Sequence, residues 1–285
     1  MTANMIKLLF SLVLSIHLMT TPCDSQSYVK AATNNSYGQS SMNEPSSVIK
    51  SLCEYFKQVY KSDSAIVDVG CGWGADLIYL NSQGFQTIYG IDLEETHLDY
   101  FKKKVTSCGR GQNVHLIQGH FPHIIFKPLL RDCSAFIFSN IFQFMRGGEI
   151  TLSLSAAFQF LNDDGMVYIH VSNPRFDNPN YAKKLKEFIA YQILKPENFN
   201  YLPYSKKFFG EDYQLKDFTL NQKRLLPNFF HYLYSEQILV ILKNIGFKDI
   251  HYIQGPDTFS VFAFKKQMPG LLKSEFVNWI NSFKN

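Results

Sequence analysis

The chain has 285 residues, 46% of them hydrophobic and 18% charged, with a formal net charge of +4. That is enough apolar material to bury one sizeable core. The charge is spread along the whole chain, and aromatic residues are not interleaved with Lys/Arg clusters, which argues against a nucleic-acid groove. The N-terminal stretch MIKLLFSLVLSIHLMTTPC has a lysine, an apolar run from Leu8 to Met19 and then small residues, the outline of a secretory signal peptide. The run is short for a membrane span. Residues 1–23 are therefore expected to be a signal peptide or an N-terminal anchor that exports or tethers the chain. The alternative is a start at Met42 and a cytoplasmic protein. Residues 24–45, rich in Ser, Asn and Gln, read as a polar linker, and residues 46–266 as one catalytic domain.

The first strand of that domain lies in IVDVGCGWGADLIYL, residues 66–80, where Ile66, Val67 and Val69 precede Gly70, Gly72 and Gly74. Apolar residues at helical spacing follow from Trp73 to Leu80, so the glycines sit on a strand-to-helix turn beside a helix N-terminus. Gly70-x-Gly72-x-x-Ala75 also satisfies a dinucleotide fingerprint, and the glycines alone do not choose the ligand. Asp68 does, because a carboxylate there opposes a pyrophosphate and favours a cation. S-adenosylmethionine carries an ammonium and a sulfonium and no phosphate. At these residues the sequence resembles the class I S-adenosylmethionine-dependent methyltransferases, whose first motif is an acidic residue followed by G-x-G-x-G.

A second strand, Thr87 to Ile91, ends in Asp92, about 20 residues past the glycine loop as a doubly wound sheet requires. The resemblance implies that Asp92 accepts both ribose hydroxyls and that Leu93 lies against the adenine. The third strand, NVHLIQGHF, ends in Gly119-His120-Phe121. His120 stands where the family usually has an acidic residue for the adenine amino group, so His120 would accept that bond or Phe121 would stack on the base. The fourth strand, SAFIFSN, ends in Ser139 and Asn140, and it lacks the Asn-Pro-Pro-Tyr type motif of many amine-methylating nucleic-acid enzymes. After a helix around Ile150 to Phe160, the fifth strand, GMVYIHVSN, ends in Asn173. The resemblance thus implies an α/β, doubly wound, mostly parallel seven-stranded sheet with helices on both faces and an antiparallel last strand.

Residues 174–234 form a long insertion rich in Phe and Tyr, read as a lid over the substrate. A helix over SEQILVILKNIGF, a strand from Lys248 to Ile253, a turn at Gly255-Pro256-Asp257 and the strand FSVFAFKK close the domain, and residues 267–285 add a C-terminal helix. Cysteines 23, 53, 71, 108 and 133 show neither metal spacing nor a disulfide framework. Cys71, inside the glycine loop, reads as a small side chain tolerated under the cofactor, not as a nucleophile. The eight histidines include no H-x-H or H-x-x-x-H pair, and no metal is expected. The reaction implied by the resemblance is in-line transfer of the sulfonium methyl to an N, O or C atom of a small-molecule acceptor. Asn140 and Asn173 are placed to orient that acceptor, and His170 or His231 to act as base. A membrane would be met only through the N-terminal segment. Two other readings stay open. An NAD-dependent oxidoreductase is disfavoured by Asp68 and by the lack of a Tyr-x-x-x-Lys constellation. A catalytically silent binding module is hinted at by His120.

Overall fold

The computed structural model describes residues 30–32, 39–42, 44–107, 109, 111–124, 132–145, 147–172, 233, 235–255 and 258–281. Its elements run β1 (Lys30–Ala32), β2 (Gln39–Ser41), α1 (Ser47–Val59), β3 (Ala65–Val69), α2 (Ala75–Ser82), β4 (Ile88–Asp92), α3 (Glu95–Ser107), β5 (Val114–Gln118), β6 (Cys133–Ser139), α4 (Gly147–Phe160), β7 (Leu161–Ser172), α5 (Ser235–Ile245), β8 (Ile250–Gln254), β9 (Thr258–Phe264) and α6 (Gly270–Asn281). The expected leader over residues 1–23 and the lid over 174–234 lie outside the described residues, apart from Leu233. Within the expected linker, β1 and β2 pair antiparallel, so that stretch carries a short ladder of its own.

The main sheet has seven strands in the order β5-β4-β3-β6-β7-β9-β8. β5, β4, β3, β6 and β7 pair in parallel, while β9 runs antiparallel to both neighbours. Strands that are apolar on both faces need cover on both faces, and alternate residues of each strand serve different cores. Val67, Phe136, Phe138, Val167 and Ile169 pack with Ile150 and Leu154 of α4 and Ile238 and Leu242 of α5. Ile66, Ala135, Ile137, Met166 and Tyr168 pack with Leu52 and Phe56 of α1, Leu77 of α2, Phe101 of α3 and Phe276 of α6. Burying one such phenylalanine contributes about 1.5–3 kcal/mol.

The C-terminal helix belongs to this core. Phe276 is fully buried and meets Tyr55, Phe262 and Phe264 at ring-centroid distances of 4.9, 5.5 and 5.0 Å. Its first turns are held by Asp249, whose carboxylate accepts from the Met268 N–H at 2.6 Å and from the Lys273 ammonium. At the other end of the domain, Ser46 caps α1 by accepting from the Ile49 N–H, and its own N–H donates to Asp76 Oδ1 at 2.7 Å. α1 is thereby tied to the first turn of α2, next to the glycine loop.

Candidate active site

Strand order reverses between β3 and β6, and in an open α/β sheet the crevice at the carboxyl ends of such a pair is the ligand site. The loops that leave these two strands meet there. Gly70 has φ +73, and a Cβ on it would lie 2.3 Å from Cγ2 of Ile141, in the loop after β6. Gly74 has φ +79, and a Cβ there would lie 2.5 Å from the Phe101 ring. These two glycines are therefore demanded by the chain's own packing and by left-handed backbone. The left-handed Gly74 also delays α2 to Ala75, two residues after the expected start.

The loop is stitched to β4. The Gly70 and Cys71 N–H groups donate to the Ile91 carbonyl at 2.7 and 3.1 Å, and the Gly72 N–H donates to Asp92 Oδ2 at 2.8 Å. The Cys71 side chain is buried against Gly90, whose missing side chain makes room for it, and burial pushes its thiol well up. It is a packing residue of the loop. The three described cysteines, Cys53, Cys71 and Cys133, are all buried free thiols.

Asp92 accepts more than the Gly72 N–H. Its Oδ1 takes the Glu94 N–H at 2.9 Å and lies 3.2 Å from Nδ1 of His97, a ring that is 1% exposed. A carboxylate offers about four acceptor positions, so three are spent inside the chain. One position at Oδ2 is left for a ribose hydroxyl, where the sequence reading had Asp92 accepting two. The His97 ring packs against Trp73, tilted by 55° with centroids 4.3 Å apart. Nε2 of His97 and Nε1 of Trp73 are buried without a hydrogen-bond partner among the described residues. Orphaned buried nitrogens beside a carboxylate mark a place where a ligand or water completes the bonding. Neither residue stood out in the sequence; the available signal was a histidine five positions after Asp92, on the first turn of the following helix.

Asp68, 4% exposed, lies on the same sheet face as Asp92. Burial, and then the charges of Asp76 and Asp92, push its carboxyl well above the usual range. Burial likewise raises Asp76 to about 6, opposed by its bond from Ser46. Neither Asp68 nor Asp76 is paired with Lys or Arg among the described residues. The structure thus gathers three carboxylates around the glycine loop.

Of the other expected site residues, Leu93 is 41% exposed at the end of β4, free to lie along a base. Gly119, with φ +149, donates its N–H to the Asp92 carbonyl at 2.9 Å. Phe121 does not stack on a base: it is 1% exposed and packs its ring against Phe136 and Phe138, because the turn after β5 folds inward over the sheet. Ser139 sits opposite His170 across β6 and β7, and the Asn140 N–H donates to the His170 carbonyl at 2.8 Å. His170 Nδ1 is 2.9 Å from Ser260 Oγ, and burial lowers the imidazole pKa, so the ring is neutral at neutral pH. Asn173 and His231 lie outside the described residues.

Residues 66–165 match the family described as the methyltransferase domain. No curated protein matches the chain in sequence. Among solved structures, a candidate exported protein from Bordetella parapertussis is 16% identical with a TM-score of 0.50, covering 77% of this chain and 67% of that one. A candidate O-methyltransferase from Nostoc punctiforme is 15% identical with a TM-score of 0.48, covering 76% of this chain and 56% of that one. This chain therefore spans little more than half the length of the Nostoc protein. An S-adenosylmethionine-dependent methyltransferase from Aquifex aeolicus is 18% identical with a TM-score of 0.45, covering 77% and 98%. The reversed strand order and the glycine loop define a doubly wound domain with a small-ligand crevice at its switch point. The family match over residues 66–165 and this sheet order together support a class I S-adenosylmethionine-dependent methyltransferase domain, the cofactor of which is S-adenosyl-L-methionine.

Proposed function

We propose that the chain transfers a methyl group from S-adenosyl-L-methionine to an N, O or C atom of a small-molecule acceptor. The observation that carries this reading is the group of Asp68, Asp76 and Asp92 around the glycine loop, with no Lys or Arg paired to Asp68 or Asp76 among the described residues. Such a field attracts an ammonium and a sulfonium and repels a pyrophosphate. When bound, the cofactor supplies a methyl already activated by positive sulfur. The chain's own task is then to hold and orient. Asp68 pairs with the cationic end, Asp92 Oδ2 takes a ribose hydroxyl, and Leu93 covers the base. Asn140 sits at the mouth of β6, where an acceptor would be aligned, with Asn173 assigned the same role. His170 or His231 takes a proton where the acceptor must lose one.

A small acceptor is favoured over nucleic acid by a net charge of only +4 spread over the chain. Thermal unfolding in the presence of candidate ligands tests the reading directly. S-adenosylmethionine and S-adenosylhomocysteine should each raise the midpoint and NAD should not, since only a ligand of the native state stabilises it, by about 2.7 kcal/mol at a hundred times its Kd. A rise with NAD alone would overturn it. For location, the N-terminal pattern supports export or anchoring by residues 1–23; no described helix is long and apolar enough to cross a membrane. Fractionation of the tagged full chain decides this, and an uncleaved protein confined to the cytoplasm would end the export proposal.

A further inference from the structure

The turn after β5 and the first turn of α4 bring together three metal-ligating side chains. His120 and His123 stack their rings with centroids 5.2 Å apart and an interplanar angle of 14°. Glu149 approaches them from α4, and one ligand atom from each of the three lies within 4.8 Å of the other two. The backbones that carry them are fixed by other groups. The Ile124 N–H donates to the His120 carbonyl at 3.1 Å, Ser153 Oγ of α4 donates to the Phe121 carbonyl at 3.5 Å, and Phe121 is locked into the core between them. His123 is exposed, and His120 and Glu149 are half-buried, so the group opens to solvent from a rigid base.

We propose that His120, His123 and Glu149 bind a divalent transition-metal cation, with zinc as the favoured occupant. Two imidazoles and one carboxylate are a donor set that suits zinc, and three protein donors leave a coordination position open, as in reactive zinc sites and unlike closed structural ones. With bonds of about 2.0–2.1 Å, tetrahedral neighbours stand about 3.4 Å apart, so side-chain rotations of roughly an ångström close the observed spacing around an ion. His120-x-x-His123 is neither an H-x-H nor an H-x-x-x-H pair, and such an i, i+3 pair in a turn becomes a ligand set only when a third donor, here Glu149, arrives from elsewhere in the chain. The site gives His120 a partner other than the adenine amino group.

Calorimetry with untagged full-length protein, stripped by chelator and titrated with zinc in the absence of S-adenosylmethionine, tests the metal site independently of the methyl-transfer reading. One zinc per chain is expected. His123→Ala and Glu149→Gln should each weaken it at least about tenfold, the loss seen even when a group that merely supports a ligand is removed. Both variants should keep the wild-type unfolding midpoint in chelator, which shows that the fold survives. Cobalt in place of zinc should give visible d–d absorption that both variants lose. Absence of stoichiometric zinc binding by the wild type overturns the site, as does equal affinity in the variants. Loss of S-adenosylmethionine binding with zinc binding intact would strike the proposed function and leave this site standing.

Discussion

Asp92→Ala is expected to lower the affinity for S-adenosylmethionine by about a hundredfold, which corresponds to about 2.7 kcal/mol. The carboxylate has two duties that alanine abandons together. One is the proposed acceptance of a ribose hydroxyl at Oδ2. The other is internal: the Gly72 and Glu94 N–H groups, at 2.8 and 2.9 Å, both lose their acceptor. Leaving a buried donor unpaired costs about 1–3 kcal/mol each, so the glycine loop loosens even without ligand. The unfolding midpoint should therefore fall by several degrees, at roughly 2–4 °C per kcal/mol for a domain of this size. Asp92→Asn separates the two duties, since it retains one acceptor oxygen and should lose less stability than alanine. Calorimetry and a melting curve on both variants check this, and wild-type affinity in Asp92→Ala would remove Asp92 from the site.

The sheet was readable in the sequence because its signal is local. Val67 and Ile66, or Phe136 and Ile137, are apolar neighbours that serve opposite cores, and a continuous apolar run bounded by glycine says as much. The glycine loop was readable for the same reason, and Asp92 followed from its distance along the chain. Contacts between distant segments were not. Nothing near Gly70 announces that Ile141 fills the space over it, and nothing near Asp92 announces that the Gly72 N–H already occupies one of its acceptor positions. The burial of Phe121 is not legible locally, because Phe136 and Phe138, which bury it, lie on another strand. The fifth strand begins at Leu161, ahead of the expected Gly165, because the β6 partner shifts register between Cys133 and Ala135 and pairs Leu161 across the irregularity.

Binding of S-adenosylmethionine is expected to expel a proton from Asp68. In the free protein this carboxyl is held well above its ordinary value of 3.8 by burial and by the charges of Asp76 and Asp92. An arriving cation favours the ionised form and lowers that pKa. Below the raised value, the cofactor must compete with a proton. Affinity should therefore climb as pH rises toward the free-protein pKa and level off beyond it. Stability runs the other way: a carboxyl with a raised folded pKa contributes stability that is fully present below 3.8 and is lost as pH rises through the folded value. The stabilisation by S-adenosylmethionine should accordingly grow over the same pH range in which the free protein weakens. Calorimetric titrations in two buffers of different ionisation enthalpy measure the released proton. Asp68→Asn keeps the shape and removes the charge. It should abolish this part of the proton release and cost about 10- to 150-fold in affinity, the worth of a hydrogen bond to a charged group at about 1.5–3 kcal/mol. Unchanged affinity in Asp68→Asn, together with undiminished proton release, would show that the cation is met elsewhere, with Asp76 the next carboxylate to test.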